Sequence, residues 1–288
     1  MKYIYVSMMV VACAITCIII VDQFDYSVLE YAPKPVPKKI RHEYVKKPLV
    51  VAIIDTGFGY LGKGNDNNLC AFGHKDFSID GEYSDDFGTS DPVPLDINGH
   101  GTNVAGLIQK YAGNADYCIV IVKFWSNKNN SPNGTATIDA IKYATRIRAD
   151  IINYSGGGIV KSQDEIAVVK KFLNNGGMIV TAAGNEMADM DIEKNHYYPA
   201  MDDSRIIVVG NAVPTTEEDI EDSKDLNKDK KTVYVDNKDL AFPAKTSNYG
   251  YRVNRWEYGN SAESYGIKLS GTSQAAAIAT GKIINNLK

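Results

Sequence analysis

The stretch VVAIIDTGFGYLG (residues 50–62) decides the fold, because a predicted buried strand here runs directly into a polar turn. Its apolar residues end at Asp55, and three glycines follow in the spacing G-x-G-x-x-G. That spacing is typical of a dinucleotide-binding turn, whereas an Asp-Thr-Gly triplet is typical of aspartic proteases. A third interpretation is that Asp55 orients a histidine from elsewhere in the chain. The rest of the sequence has to distinguish these three interpretations.

The bulk composition limits the class of protein. The chain has 288 residues, of which 44% are hydrophobic and 23% charged, and this is enough for one large core. Its formal net charge of -4 argues against nucleic acid as a partner, since proteins that bind nucleic acid usually present a basic face. The sequence contains no Cys-x-x-Cys pair, so we expect no structural zinc, and we predict neither a metal nor a cofactor.

The N-terminal segment, residues 1–21, is almost entirely apolar. Its length is close to that of a bilayer-spanning helix, and we interpret it as a membrane anchor. A cleaved signal is an alternative, because residues 12–14 (ACA) fit a cleavage site, and lipid attachment at Cys13 or Cys17 is a weaker one. We therefore expect a membrane-anchored or secreted protein whose main domain is extracytoplasmic, although the basic residues between positions 34 and 41 count against that orientation.

Two further boundaries follow from composition. Residues 22–48 end in PKPVPKKIRHEYVKKP, which combines four prolines with a cluster of positive charge, and this predicts an extended linker. Residues 49–288 then form the main domain. Within it, residues 215–240 are dense in charges of both signs, and we predict a solvated surface insertion there. Cys118 reads as a buried small hydrophobic residue, and a disulfide between Cys70 and Cys118 is compatible with the sequence.

Strands and helices alternate in the main domain. The predicted strands are short, apolar and rich in β-branched residues, and they cover residues 49–54, 118–124, 150–155, 178–183 and 205–210. One predicted helix covers residues 135–147 with Thr135 as its cap, and another covers residues 163–177 with two glycines as its stop. This alternation predicts an α/β fold with a mostly parallel sheet and helices on both faces. Ligands in such sheets bind at the carboxyl ends of the strands, which is where Asp55 lies.

Two interpretations of the opening stretch fail. A dinucleotide-binding turn needs a helix to begin within the glycines, but KGNDNNLCAFG (residues 63–73) has no helical period. An aspartic protease needs a second Asp-Thr-Gly triplet or a symmetric dimer. The chain has no second triplet, and nothing else in it calls for a dimer, so we expect a monomeric catalytic domain.

The third interpretation needs a histidine and a nucleophile, each at the start of a helix, and the sequence offers both. His100 begins HGTNVAGLIQKYA, whose apolar residues keep helical spacing. Ser273 lies in LSGTSQAAAIATGKIINNL, where small residues permit close helix packing. A serine at a helix N-terminus has backbone amides and a positive dipole end beside it, and both favour an oxyanion.

Six stretches together resemble the subtilisin-like serine proteases. They are VAIIDTG, NGHGTNVAG, INYSGGG, TAAGNE, YYPA and SGTSQAA, in that family's order between residues 51 and 276. The resemblance implies a three-layer subtilisin-like fold and a serine endopeptidase that acts on polypeptides through an acyl-enzyme intermediate. In that scheme Asp55 orients the imidazole, His100 is the general base and then the general acid, and Ser273 is the nucleophile. The chain order Asp, His, Ser is a known mark of the family.

The resemblance also implies residues that bind the substrate. Asn185 matches the side-chain donor to the oxyanion. The segment expected to pair with the substrate backbone consists of Ser155, Gly156 and Gly157. These residues are expected to line the pocket for the side chain before the cut, together with Ala182, Ala183 and Gly184. Tyr197 stands where many relatives have glycine, so an inward ring makes that pocket shallow.

The sequence also departs from the family pattern. Ala277 replaces a proline usual in the serine helix, which we expect to be tolerated. Residues 22–48 are too few for a folding-assistant prosegment, and KYAGNADYCIVIV lacks the insertion that holds calcium in many relatives. The expected lack of a prosegment, together with a chain expected to continue only one helix beyond Ser273, keeps open an alternative function, a catalytically poor relative that binds extended peptides through residues 155–157.

Overall fold

The fold is built around strand β1 (Leu49–Asp55), whose last five residues are buried. In this computed structural model β1 pairs in parallel with β5 (Tyr117–Lys123) on one side and with β6 (Ile151–Tyr154) on the other. The structure describes residues 47–59, 68–78, 82–84, 88–125, 135–215, 232–236 and 238–287. From Pro48 onward the described residues belong to one compact unit.

The main sheet extends from β1 in both directions. Its other strands are β2 (Lys75–Asp76), β7 (Met178–Ala182), β8 (Ile207–Pro214), β9 (Val233–Val235), β10 (Asp239–Pro243) and β11 (Arg255–Glu257). Within the described residues the order is β2-β5-β1-β6-β7-β8-β10-β9, and β11 also pairs with β8. Only β10 pairs antiparallel, with β8 and with β9. The prediction of a mostly parallel sheet is therefore confirmed.

Helices cover both faces of this sheet. The four helices in the described part of the chain are α1 (His100–Ala112), α2 (Ala136–Arg146), α3 (Gln163–Asn174) and α4 (Thr272–Asn286), and a 3-10 turn covers Glu193–Asn195. Helices α1 and α4 pack in one hydrophobic core, whereas α2 and α3 pack in a second core with the opposite set of strand side chains. This gives the three layers that the resemblance implies. Two small pairs lie outside the main sheet, β3 (Tyr83–Ser84) with β4 (Val93–Pro94), and β12 (Ala262–Ser264) with β13 (Ile267–Leu269).

The predicted element boundaries differ from the observed ones mainly at helix ends. Thr135 precedes α2, but its side chain makes no capping hydrogen bond. Helix α3 begins as expected, because the side chain of Ser162 accepts a hydrogen bond from the Glu165 backbone N–H. It ends at Asn174, and Gly176 then adopts a φ of 88°, a left-handed conformation that glycine tolerates best.

The prediction of a solvated insertion over residues 215–240 is wrong for its last part. Residues 233–235 and 239–243 extend the main sheet through β9 and β10. Val233 and Val235 alternate with an exposed Tyr234, so the two valines join the core while the tyrosine faces solvent. Residues 216–231 lie outside the described residues.

A disulfide joins Cys70 to Cys118, so the reading of Cys118 as a simple buried hydrophobic residue is wrong. The bond links the segment before β2 to the start of β5 across a sequence separation of 48 residues. On a chain-entropy basis a closed loop of this length contributes about 4 kcal/mol by constraining the unfolded chain.

No helix among the described residues has the length and apolar character needed to span a bilayer. The predicted anchor at residues 1–21 and the predicted linker, apart from residues 47 and 48, lie outside the described residues. Both remain predictions.

His74 is a buried imidazole that joins the edge of the sheet to the disulfide segment. Its Nδ1 accepts a hydrogen bond from the Ile121 N–H at 3.1 Å, and its Nε2 lies 2.9 Å from the Cys70 carbonyl oxygen. Because Nδ1 must accept, Nε2 carries the only proton and the ring is neutral. Burial lowers the pKa of His74 below 6.5, despite the opposing effects of the Cys70 carbonyl and the charge of Asp91.

We predict that His74 makes the fold less stable in acid. Its folded-state pKa lies below the unfolded value of 6.5, so the unfolded chain binds the proton first and the free energy of unfolding drops as pH falls through 6.5 and below. In His74→Asn, the amide oxygen can accept the Ile121 N–H without titrating. Urea unfolding at pH 7.5 and 5.5 should show a smaller pH dependence in this variant than in the wild type. His196→Asn, at the partly exposed imidazole, is the control, and equal pH dependence in all three proteins would refute the assignment.

Candidate active site

The carboxylate of Asp55 and the imidazole of His100 are in direct contact. Asp55 ends β1 and is buried, and His100 begins α1. Asp55 Oδ1 lies 2.7 Å from His100 Nδ1. An ionised carboxylate can only accept, so Nδ1 donates and Nε2 of the neutral ring is left with a lone pair. Nε2 forms no hydrogen bond with any described residue, and 28% of the side chain is exposed.

The electrostatic surroundings favour the charged form of His100. Burial by itself lowers the pKa of the imidazole. The negative charge of Asp55, the hydrogen bond to Asp55 and the charge of Asp96 outweigh burial and raise the pKa above 6.5. The ring can therefore accept a proton at Nε2 while Asp55 stabilises the resulting imidazolium.

Ser273 lies at the same carboxyl end of the parallel strands, since it contacts Ser155 just after β6. It is the second residue of α4. Its hydroxyl is nearly buried and donates to the Ser155 carbonyl oxygen at 2.9 Å. Ser155 Oγ in turn donates to the Ser273 carbonyl oxygen at 3.1 Å. Within the described residues no hydrogen bond joins Ser273 to His100. The structure thus brings together the Asp55–His100 pair and the start of α4, but it directs the serine hydroxyl toward Ser155.

A buried polar chain ties the end of β6 to α4. Thr280 Oγ1 lies 2.8 Å from Asn153 Oδ1, and Asn153 Nδ2 donates to Ser155 Oγ at 2.9 Å. Asn153 and Thr280 are fully buried. Loss of the Thr280 hydroxyl would leave Asn153 Oδ1 buried without a partner among the described residues, at a cost of roughly 1–3 kcal/mol. The chain therefore fixes Ser155, and through it the first turn of α4.

Asn185 follows β7 and is held by the N-terminus of α4. Its Oδ1 accepts hydrogen bonds from the Thr272 N–H at 2.9 Å and from Thr272 Oγ1 at 3.0 Å. Since a backbone N–H can only donate, these contacts fix which end of the amide is the oxygen. Asn185 Nδ2 makes no hydrogen bond within the described structure, and Asn185 is exposed. Its amide hydrogens are available beside Ser273.

Asn248 organises the turn that carries Asn185, although sequence reasoning did not identify it. It is buried, and its Nδ2 donates to the Ala183 carbonyl oxygen and to Glu186 Oε2. Its Oδ1 accepts from the Glu186 and Ala188 N–H groups. A sequence signal could not have found it, because the turn it supports lies about sixty residues away in the chain.

Two residues of the segment Ser155–Gly158 present backbone that is unpaired within the described structure. Gly156 is partly exposed and Gly157 is exposed, and neither forms a hydrogen bond with any described residue. Gly158 is different, because its N–H and C=O both pair with Tyr198 at 2.9 Å and 2.7 Å. An extended backbone could therefore add only along residues 156 and 157, beside Ser273.

The ring of Tyr197 lies between two of the predicted pocket glycines. A Cβ built on Gly157 would lie 2.4 Å from a ring carbon of Tyr197, and one built on Gly184 would lie 3.0 Å from another. Burial raises the pKa of Tyr197, and the charge of Glu186 raises it further, which places its hydroxyl within the influence of that carboxylate. The ring therefore packs between these two glycines, and the shallow pocket expected from an inward ring remains a prediction.

Ala182 ends β7 and Ala183 follows it, and their role in lining the pocket remains a prediction. Both are buried, and the Ala183 N–H bonds to the Val209 carbonyl oxygen of the neighbouring strand. Ala183 also packs in the core on the α2–α3 side of the sheet.

The described residues contain no group of three or more His, Cys, Asp or Glu side chains that could hold a metal ion. Lys123 is the register partner of Asp55 where β1 pairs with β5. It is fully buried, and its Nζ donates to the Leu95 carbonyl oxygen at 2.8 Å.

Residues 46–284 match the sequence profile of the peptidase S8, or subtilase, family. The chain belongs to this family. The subtilase match covers most of the chain and includes Asp55, His100, Asn185 and Ser273. As a subtilase, the protein is a serine-type endopeptidase. The predicted resemblance and the predicted enzyme class are both confirmed.

Two characterised relatives show how distant this subtilase is from them. The major intracellular serine protease of Bacillus subtilis (strain 168) is 28% identical over 263 residues, which is 88% of this chain and 71% of the relative. Thermitase of Thermoactinomyces vulgaris is 29% identical over 203 residues, or 68% of this chain and 63% of thermitase.

Solved structures confirm the subtilisin-like fold. A cold-adapted subtilisin-like serine proteinase superposes with a TM-score of 0.56 at 25% identity, covering 84% of this chain and 76% of that one. The epidermin leader peptide processing serine protease of Staphylococcus aureus superposes with a TM-score of 0.60 at 18% identity, covering 83% of this chain and 65% of that one. At 18% identity the second likeness shows the fold alone.

We predict that Asp55 is the main group that raises the pKa of His100. Asp55→Asn removes both the negative charge and the charge-assisted hydrogen bond, so the imidazole should titrate at lower pH than in the wild type. The check is an NMR titration of the His100 ring in protein with isotopically labelled histidine. Asp139→Asn, which removes an exposed carboxylate on α2 paired with Lys142, is the matched control. An unchanged His100 pKa in Asp55→Asn would contradict the prediction.

Proposed function

We propose that this subtilase hydrolyses peptide bonds through Asp55, His100 and Ser273 and an acyl-enzyme intermediate. The observation that carries the proposal is the 2.7 Å contact between Asp55 Oδ1 and His100 Nδ1, because it leaves Nε2 of a partly exposed ring as an unoccupied base. Ser273 starts a helix at the same sheet edge. Rotation about its Cα–Cβ bond, between staggered positions, is the change that directs its hydroxyl away from Ser155 and toward that base.

The first half of the reaction forms the acyl-enzyme. His100 Nε2 takes the proton of the Ser273 hydroxyl while Oγ bonds to the carbonyl carbon of the scissile peptide. Asp55 remains ionised and stabilises the imidazolium. The imidazolium then gives its Nε2 proton to the leaving amine, and the C–N bond breaks. In the second half, His100 Nε2 takes a proton from water while the water oxygen bonds to the acyl carbon. The bond between the acyl carbon and Ser273 Oγ then breaks as the imidazolium returns a proton to Oγ, and the carboxylic acid product is released.

Two donors stabilise the oxyanion in this proposal. Asn185 is one, because Thr272 holds its oxygen and leaves its amide hydrogens without a partner in the described structure. The backbone N–H of Ser273 is the other, since the first N–H groups of a helix have no partner within the helix. Removing a side-chain donor of this kind costs about 3 kcal/mol of transition-state stabilisation.

The unpaired backbone of Gly156 and Gly157 supports an extended polypeptide as the substrate. A peptide strand that adds here gains main-chain hydrogen bonds independently of its sequence. In this proposal Ser155 does not contact the substrate. Its carbonyl oxygen accepts a hydrogen bond from the Ser273 hydroxyl in the absence of substrate and so positions that hydroxyl.

One observation favours a second candidate function. The Ser273 hydroxyl bonds to Ser155 and not to His100, which is what a catalytically poor, peptide-binding subtilase would retain. In catalytically competent enzymes such hydrogen bonds often tighten only when substrate is bound, so this geometry is compatible with both functions. The two candidates differ in whether Ser273 reacts.

A fluorophosphonate probe distinguishes the two functions, because it reacts with a serine only when a base activates the hydroxyl. We expect the full wild-type chain to be labelled and Ser273→Ala to be unlabelled. Ser270→Ala, a serine three residues earlier in the same segment, is the matched control and should label like the wild type. A folded wild type that resists the probe would refute the triad and support the peptide-binding function.

We predict that the pocket before the cut accepts only small side chains. Because the Tyr197 ring occupies the space between Gly157 and Gly184, peptides with Ala before the cut should be cleaved roughly tenfold or more faster, in kcat/KM, than peptides with Phe. Tyr197→Gly should remove this preference, whereas Tyr197→Phe keeps the ring and should retain it. Efficient wild-type cleavage after Phe would sink the prediction.

We also propose that the main domain acts outside the cytoplasm, associated with a membrane through residues 1–21, and as a monomer. The disulfide between Cys70 and Cys118 supports an oxidising compartment, since disulfides are rare in reducing cytosol. The name of the Bacillus subtilis relative describes that protein as intracellular. The proposed location of the present protein therefore differs from that of this relative.

A further inference from the structure

Asp96 is a carboxylate that gathers hydrogen bonds at the start of helix α1. Its Oδ1 accepts from the backbone N–H groups of Asn98 at 3.0 Å and Gly99 at 2.9 Å. Its Oδ2 accepts from the Thr102 N–H at 2.8 Å and from Thr102 Oγ1 at 2.6 Å. These donors lie on both sides of His100, so one carboxylate fixes the turn that delivers the imidazole.

Helix α1 takes the acceptors for its first turn from residues other than its N-cap: Asn98 Oδ1 accepts from the His100 N–H, Thr56 Oγ1 from the Gly101 N–H and Asp96 Oδ2 from the Thr102 N–H. Its N-cap residue, Gly99, has no side chain, and the first turn contains no acidic residue. The first N–H groups of a helix need acceptors, and a negative charge there is favoured by the helix dipole. Asp96 supplies both functions from three residues before the cap.

Asp96 is also linked to Asp55 through a single threonine. Thr56 Oγ1 donates to Asp96 Oδ1 at 2.9 Å and accepts from the Gly101 N–H at 2.8 Å. The Thr56 N–H donates to Asp55 Oδ1 at 2.8 Å, the same oxygen that contacts His100. A closed set of hydrogen bonds therefore runs from Asp55 through Thr56 and Asp96 to the turn that carries His100.

A buried lysine anchors the segment on its other side. Lys123 Nζ donates to the carbonyl oxygen of Leu95, the residue before Asp96. Since Lys123 is fully buried at the end of β5, this contact ties the Asp96 segment to the sheet next to Asp55.

We infer that Asp96 is a positioning residue for the reaction, which holds the imidazole of His100 against Asp55 and places a second negative charge beside it. This inference rests on the proposed function. Asp96 touches neither His100 nor the reacting atoms in our scheme, so its effect is transmitted by the α1 turn and by its charge. Burial lowers the pKa of His100, and the charge of Asp55 and its hydrogen bond raise it. The charge of Asp96 raises that pKa as well, by less than Asp55 does.

The test is the pH dependence of kcat/KM for a peptide substrate in Asp96→Asn. This change keeps the side-chain shape, removes the charge and replaces one acceptor by an NH₂ group. We expect kcat/KM on its pH plateau to fall roughly ten- to a hundredfold, as misplacement of a reacting group does. We also expect the acid limb of the profile to move to lower pH, because the imidazolium loses a favourable charge.

Asp91→Asn is the matched control. Asp91 lies on the same segment, but its carboxylate binds the Gly73 N–H and its charge acts on His74. It should leave both kcat/KM and the acid limb unchanged. If Asp96→Asn lowers kcat/KM but leaves the acid limb in place, or changes neither, Asp96 is only a structural residue and the inference is overturned.

Thr56→Val keeps the test decisive if Asp96→Asn does not fold. This variant cuts the link to Asp96 but retains the negative charge, so kcat/KM should fall with no shift of the acid limb to lower pH; an unchanged kcat/KM would overturn the inference. If the wild type neither cleaves peptides nor reacts with the probe, the proposed function fails. In that case NMR titration of His100 in Asp96→Asn still decides the charge effect.

Discussion

The close packing of helix α1 against helix α4 sets the geometry of the site, because His100 begins one helix and Ser273 lies in the first turn of the other. A Cβ on Gly281 would lie 2.6 Å from the Ile108 carbonyl oxygen, so only glycine permits this approach. The alanines of α4, Ala277 included, are fully buried in the same core. A larger residue at the contact would separate the two helices and with them the imidazole and the serine hydroxyl.

Three buried asparagine side chains hold the irregular segments around the site in place. Asn103 donates to the Ala262 and Ile267 carbonyl oxygens, which docks the β12–β13 hairpin on α1. Asn153 joins β6 to α4, and Asn248 shapes the turn that carries Asn185. Each amide has partners on separate segments, so its hydrogen bonds specify an arrangement as well as stabilise it. The irregular loops around the site are held by these side chains.

The resting arrangement separates the base from the nucleophile. His100 is committed to Asp55 through Nδ1, whereas Ser273 and Ser155 hold each other through two reciprocal hydrogen bonds. In the proposed mechanism, a peptide that pairs along Gly156 and Gly157 lies directly beside this serine pair. Peptide binding and the release of the Ser273 hydroxyl would therefore take place at adjacent residues. In the proposed mechanism this proximity links substrate binding to the chemical step.

The sequence by itself determined the parallel strands β1, β5, β6, β7 and β8, the four main helices and the placement of Asp55, His100 and Ser273 at strand and helix ends. Apolar periodicity and short motifs are local properties, so they can be read from the amino-acid sequence alone. Only the tertiary structure decided the inward ring of Tyr197, the burial of Ala182 and Ala183, the disulfide between Cys70 and Cys118, and the strand pair within residues 232–243. It alone also showed Asp96, Lys123 and Asn248 in the site. Each of these depends on which distant segment packs against a residue, and that choice is made by the folded core as a whole.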